Sequence, residues 1–285
     1  MSKNVNMEEL MKKVIPTKLD LDAMIKNSYE KSKANKNNMS YWLPKVINCG
    51  IKSPETIIIP LNFSQYKWFS GDDYSQESIN AMGEYIKGYL NQINFDTNRD
   101  LFIKTGNFSN KFDFSTCKVT NLDNLGQQFL DIYYTAMMVG AGNNSELVVR
   151  EYIKNDIEKS TIYNGMPLNT EFRVFYNFDT NEVLGIFNYW DTQVVSDSLK
   201  SKMKYDKEAV EDYKNFTIAS EEIEKEFEEL RDKATSLVRD CMLDVDLQGA
   251  WSIDLMYANG EFYLIDMALA HQSYYYDRVA HLLNK

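Results

Sequence analysis

Residues 251–273, WSIDLMYANGEFYLIDMALAHQS, constrain this chain more than any other segment. Two runs rich in aliphatic and aromatic residues flank Ala258-Asn259-Gly260, so residues 250–257 and 261–267 are expected to form a hairpin. Asp254 lies on the first run and Asp266 near the end of the second, twelve residues later. Antiparallel pairing across the turn brings these two carboxylates close together. Neighbouring carboxylates repel unless a cation lies between them, and hard oxygen donors suit Mg²⁺ carrying phosphates. Taken alone, the segment leaves open a second reading, two strand-end aspartates facing water.

The rest of the composition narrows the setting of such a pair. With 285 residues, 44% hydrophobic and 13% aromatic, the chain can build one large domain or two lobes sharing a cleft. No run approaches the roughly 18–20 apolar residues that a membrane helix needs. The opening MSKNVNMEELMKK lacks the apolar stretch of a signal peptide, so a cytoplasmic location without a membrane partner is expected. Cys49, Cys117 and Cys241 form no CxxC pair and read as reduced structural thiols, while His271 and His281 are too few for a His-based metal site. A net charge of −11 argues against gripping a nucleic-acid backbone, which needs a broad basic face. Any phosphate ligand must be met by a few local cations.

Along the chain, residues 1–40 are polar and Lys/Asn-rich and read as an N-terminal helical segment, with a breaker-rich stretch at 34–38. Residues 41–145 read as a first lobe. It opens with a short helix, a turn at Gly50 and a strand at 56–59, followed by a helix at 75–93 with Ile79, Met82, Ile86 and Leu90 on one face. A strand at 100–104 then empties into the polar loop 105–110, and a helix follows at 125–139. Residues 146–285 read as a second lobe, opening with a strand at 146–153 and continuing through a hairpin of 171–176 and 183–189. Ser220 is expected to cap a helix whose buried face carries Ile223, Phe227, Leu230, Ala234, Leu237 and Cys241.

Several segments together resemble the ATP-grasp superfamily, whose fold is α+β with two lobes and a nucleotide cleft between them. Asp254 and the acidic residue of YLIDMA look like its metal-binding hairpin, although Ala268 stands where the family pattern has a metal-binding Asn. Upstream, ELVVREYI looks like the hinge strand, and NTEFRVF like the strand after it. By this likeness the backbone of Glu151, Tyr152 and Ile153, next to Arg150, bonds the adenine edge, and Glu171 takes the ribose hydroxyls. LFIKTGNFSNKFDF resembles the strand and small-residue loop over the phosphates. Lys104 then reaches the α/β-phosphates, and Lys111 with the backbone N–H groups from Gly106 to Ser109 covers the β/γ-phosphates. Within the superfamily, the order of these elements is similar to that of the cell division cycle protein 123 family.

The resemblance implies ATP and Mg²⁺ as ligands, with Asp254 and Asp266 on the metal. Water, phosphate oxygens, Gln272 or Asp277 would replace the missing Asn. The usual superfamily reaction is an ATP-dependent carboxylate–amine or carboxylate–thiol ligation through an acyl phosphate, with Arg173 and Lys111 acting at the transferred phosphoryl group. The acceptor is an unknown small molecule or protein. The family likeness implies an alternative role, an ATP-binding assembly factor that ligates nothing, and the missing Asn a further one, a non-catalytic nucleotide-binding module.

Overall fold

The computed structural model describes residues 20–71 and 74–283. The helical expectation for residues 1–19 lies outside the described residues. The fold is α+β and built on two four-stranded antiparallel sheets. Strands β1 (Thr56–Pro60), β2 (Leu101–Thr105), β3 (Lys118–Val119) and β4 (Glu146–Glu151) form the first sheet, in the order β1-β4-β2-β3. A short hairpin of β5 (Thr161–Ile162) and β6 (Met166–Pro167) follows. Strands β7 (Thr170–Asn177), β8 (Glu182–Asn188), β9 (Ala250–Ala258) and β10 (Glu261–Leu269) form the second sheet, in the order β10-β9-β7-β8.

The membership of β4 differs from the sequence reading, which opened the second lobe at residue 146. β4 is hydrogen-bonded between β1 and β2, so the chain leaves the first sheet only after Glu151. The physical reason is burial on both faces: Leu147 and Val149 enter one core, and Val148 the other. A strand buried in this way belongs at the centre of a sheet rather than at the start of a separate lobe.

Helices cover each sheet. The helix Gln76–Gln92 starts where Ser75 Oγ accepts the Ser78 N–H, and it buries Ile79, Met82, Ile86 and Leu90 as their spacing predicts. With the helix Leu125–Met138, it packs in the core that also holds Ile103 and Val149 of the first sheet. The second sheet sends Phe172, Val174, Ile253, Leu255 and Leu264 into a core shared with the helix Met39–Val46 and a 35-residue helix, Glu208–Met242. Ser220 therefore does not cap a helix. It sits inside the long one, its Oγ donating to the Thr217 carbonyl, because Ala209 and Phe216 extend the buried stripe N-terminally. The β9–β10 turn is Asn259-Gly260, both in the left-handed region that a two-residue hairpin loop demands.

Candidate functional site

A cavity of about 320 Å³ opens between the sheets, and its lining includes Lys104, Lys111, Arg150, Glu151, Tyr152, Ile153, Glu171, Arg173, Asp254 and Asp266. The alternation of β7 and β9 turns Glu171, Arg173, Asp254 and Met256 towards the cavity and their neighbours into the core. Arg173, Asp254 and Asp266 are consecutive register partners across three strands, β7, β9 and β10.

This row is neutralised from within. Arg173 donates to both oxygens of Asp254, Nε at 2.8 Å and Nη2 at 2.7 Å, a two-pronged charge-assisted pair. Lys104, 2% exposed, places Nζ 2.6 Å from Asp266 Oδ2, and Asp266 Oδ1 accepts the Met267 N–H. Burial opposes the charge on Arg173, but Asp254 outweighs it, and the guanidinium holds its proton more tightly than usual.

The donor set fits a nucleotide-borne Mg²⁺. Both carboxylates are oxygen donors on facing strands, each oxygen accepts one N–H, and a second lone pair remains on each. Mg²⁺ is commonly held by one or two carboxylates together with phosphates and waters. Among the described residues no group of three or more His, Cys, Asp and Glu is placed to hold a metal on its own. Neither Gln272 nor Asp277 lines the cavity, and Gln272 Oε1 accepts instead from Asn37. Ala268 faces Ser252 across the hairpin and is likewise absent from the lining.

Lys111 begins a short 3-10 turn, Lys111–Thr116, and its ammonium lies 3.5 Å from the centre of the Tyr189 ring. The Arg173 guanidinium lies 4.7 Å from the same ring, so one aromatic side chain holds two cations. Burial pulls Lys111 down, but Tyr189, Glu171 and Asp254 more than offset it and its pKa rises. Glu171, 3% exposed, is pushed up to about 7 by burial, with Asp254 adding to the rise and Lys111 and Arg173 opposing it.

The linker between the sheets is partly committed. The Glu151 N–H donates to the Glu55 carbonyl and the Tyr152 N–H to the Asp100 carbonyl, so of the three hinge residues 151–153 only Ile153 has an N–H without an acceptor among the described residues. The Glu151 carboxylate turns to Arg99. The loop after β2 is also tied down: Gly106 N–H is shared between the Glu146 carbonyl and Asn144 Oδ1, and Asn144 also binds the Asn107 side chain. Gly106 N–H is therefore not free to cover a phosphate, whereas Asn107, Phe108 and Ser109 line the cavity.

Sequence reasoning missed Tyr189 and Ile265. No local pattern marks either one. Tyr189 matters only because its N–H joins the Glu171 carbonyl and brings its ring beside Arg173.

No protein-family model matches the sequence, and no curated protein does. Among solved structures, the chain is similar to C-terminally truncated Cdc123 from Schizosaccharomyces pombe, at 16% identity over 90% of this chain and 89% of that one, with a TM-score of 0.47. It is also similar to D-alanine–D-alanine ligase from Bacillus anthracis complexed with ATP, at 12% identity over 89% of this chain and 62% of that one, TM-score 0.38. A further similarity is to the biotin carboxylase domain of 2-oxoglutarate carboxylase from Hydrogenobacter thermophilus, in complex with ADP and its magnesium salt. There the identity is 12%, over 84% of this chain and 40% of that one, with a TM-score of 0.42. No helix among the described residues is long and apolar enough to cross a membrane.

Proposed function

We propose that the chain is an ATP-grasp protein that binds ATP with Mg²⁺ in this cavity and joins a carboxylate to an amine or thiol through an acyl phosphate. The observation that carries the reading is that cationic and acidic side chains from β2, the loop after it, β7, β9 and β10 meet around one cavity. In this reading the Ile153 N–H meets the adenine edge and Glu171 the ribose hydroxyls. Lys104 and Lys111 hold the phosphates, and Asp254 with Asp266 holds the Mg²⁺ that the nucleotide brings. When bound, that ion neutralises phosphate charge.

Arg173 uses two of its five N–H groups on Asp254, which leaves the others for the transferred phosphoryl group. The acceptor carboxylate attacks the γ-phosphorus, the bond to the β–γ bridging oxygen breaks, and ADP departs. The amine or thiol then attacks the acyl carbon, and inorganic phosphate leaves with the nucleophile's proton. The chain's contribution to both steps is positioning and charge neutralisation. The acceptor is a small molecule or a protein side chain.

A second reading is a nucleotide-binding assembly factor without turnover, and the absence of a side-chain ligand at Ala268 favours it. A thermal-shift series with ATP and ADP, with and without Mg²⁺, tests binding. At 100 times the dissociation constant the gain is about 2.7 kcal/mol, a shift of a few degrees for a chain of this size. No shift at millimolar nucleotide would sink both readings. ADP release across a panel of carboxylic acids with amines or thiols supports the ligase, and binding with no release on any of them supports the assembly factor.

A further inference from the structure

The hairpin that carries Asp254 and Asp266 is not regular. From Ala258↔Glu261 to Leu255↔Leu264 the pairing follows one register, and it then slips by one residue, so that Asp254 faces Asp266. Ile265 is the extra residue, a β-bulge. Continued without the slip, the register would set Ile265 opposite Asp254 and Asp266 opposite Ile253, whose side chain lies in the second core. The placement of Asp266 on the cavity face depends on the bulge.

β10 is an edge strand, and the first sheet's side of the molecule grips it at the bulge. Arg150, on β4, donates Nη1 to the Ile265 carbonyl at 2.6 Å, and Nη2 approaches the Leu264 carbonyl at 3.4 Å. Its Nε is anchored on Thr56 Oγ1 at 3.1 Å. The Leu264 N–H donates to the Lys52 carbonyl at 2.8 Å, next to an isolated bridge between Lys52 and Tyr263. Arg150 is 3% exposed, and among the described residues no carboxylate forms an ion pair with it. Burial pushes it down to about 10, with Asp266 the opposing influence. Burying a guanidinium without a carboxylate partner carries a desolvation cost, so stability alone does not explain an arginine here.

We infer that Arg150 is a positioning residue that clamps the Ile265 bulge, keeping Asp266 opposite Asp254 and making Mg²⁺-dependent nucleotide binding depend on contact between the two lobes. The clamp stands on geometry alone, whereas its consequence for Mg²⁺ rests on the function proposed above. The sequence resemblance put Arg150 beside the adenine. Here its guanidinium is spent on the bulge carbonyls and Thr56.

The test uses Arg150→Met, Arg150→Lys and deletion of Ile265 in the full chain. Hydrogen exchange is followed at residues 264–268, and ADP is titrated calorimetrically with and without Mg²⁺. Arg150→Met is expected to speed exchange at Asp266 and Met267 and to cut the Mg²⁺-dependent gain in ADP affinity roughly 10–100-fold. Mg²⁺-free affinity should change by less than about threefold, a difference of under 1 kcal/mol. Arg150→Lys, with one ammonium in reach of a carbonyl, should recover part of the gain, and in the chain lacking Ile265, where regular pairing by itself sets Asp266 opposite Asp254, Arg150→Met should no longer reduce it. Equal losses with and without Mg²⁺ would mean that Arg150 touches the nucleotide itself, and unchanged exchange would mean that the bulge holds itself. Either result overturns the inference. Should Arg150→Met fail to fold, Thr56→Val, which removes the Nε anchor together with the hydroxyl's bond to the Pro54 carbonyl, must give the same split in smaller measure. A parent protein that binds no ADP would remove the proposed function, and the exchange measurement would still decide whether Arg150 holds the bulge.

Discussion

Lys104 and Asp266 tie the two sheets together, the ammonium on β2 lying 2.6 Å from the carboxylate on β10. Under the proposed function each has a second attraction when nucleotide arrives, Lys104 to phosphate and Asp266 to the Mg²⁺ the phosphates carry. The pair therefore holds the nucleotide-free site in shape, and its two members are expected to exchange one charge partner for another on binding. Opposite charges already in contact keep a buried lysine from standing unpaired in the meantime.

Lys104→Ala should weaken ADP or ATP binding about tenfold or more, because a charge-assisted contact to phosphate contributes roughly 1.5–3 kcal/mol. Lys214→Ala is the comparison, since Lys214 is exposed and pairs with Glu211 on the same helix. Lys118 serves less well: its ammonium lies 4.8 Å from the centre of the Tyr152 ring, in the linker. Calorimetric titration reads the difference. Equal affinities in Lys104→Ala and Lys214→Ala would show that the phosphates do not lie at Lys104.

Mg²⁺ alone should not stabilise the protein, because Asp254 and Asp266 share their oxygens with Arg173, Lys104 and the backbone and no third acidic, His or Cys ligand stands by among the described residues. In thermal unfolding, millimolar Mg²⁺ without nucleotide is expected to leave Tm unchanged, while Mg²⁺ with ADP raises it above ADP alone. Asp266→Asn should erase that difference. A rise with Mg²⁺ alone would point to a preformed metal site and contradict this account of the carboxylates.

The hairpin of β9 and β10 was legible because Asn259-Gly260 admits few other turns and the flanking residues alternate. Most of the side chains named from sequence line one cavity because strand alternation and the order of motifs are local and sequential properties. The bulge was not legible: with a two-residue turn, regular pairing sets Asp254 against Ile265, and the slip lies where Arg150 of β4 and Lys52, ahead of β1, bond the β10 backbone. The same limit hid the sheet to which β4 belongs and the meeting of Tyr189 with Lys111 and Arg173. These are long-range pairings that no window of sequence contains.

Glu171 should make stability fall with rising pH. Burial moves its carboxyl from an ordinary 4.5 up to about 7, so between those values the unfolded chain has lost a proton that the folded chain still holds. Protons bound in excess by the folded state mean that stability declines as pH rises through this window and levels off above it. Below pH 4.5 both states are protonated and the penalty vanishes. Glu171→Gln removes the titration, so the variant should gain on the parent from pH 4.5 to 7, by up to about 3 kcal/mol if the whole shift is expressed. Urea denaturation of both proteins across that range measures it, and a difference that does not change with pH would show that Glu171 is ionised throughout.

Gly106 is the point where the loop after β2 presses against a buried carboxylate. A Cβ there would sit 2.6 Å from Glu146 Cγ and 2.7 Å from Cδ, well inside van der Waals contact. Glu146 cannot simply turn away: its Oε1 accepts the Ser40 N–H at 3.1 Å, at the start of the helix Met39–Val46, and burial raises its pKa. Gly106→Ala must therefore move either the loop, with Asn107, Phe108 and Ser109 on it, or the carboxylate. Overpacking of this kind costs about 1–3 kcal/mol. Truncating Glu146 to Ala opens the space, so Gly106→Ala should cost clearly less in that background, although Glu146→Ala alone also loses the bond to Ser40. Urea denaturation of the four proteins of this double-mutant cycle gives the coupling directly. Costs that add to within about 0.5 kcal/mol would show that the glycine is not required by Glu146. If they couple as expected, nucleotide affinity should follow the same order, lowest in Gly106→Ala and partly restored in the double variant, because the displaced element is the loop that borders the cavity.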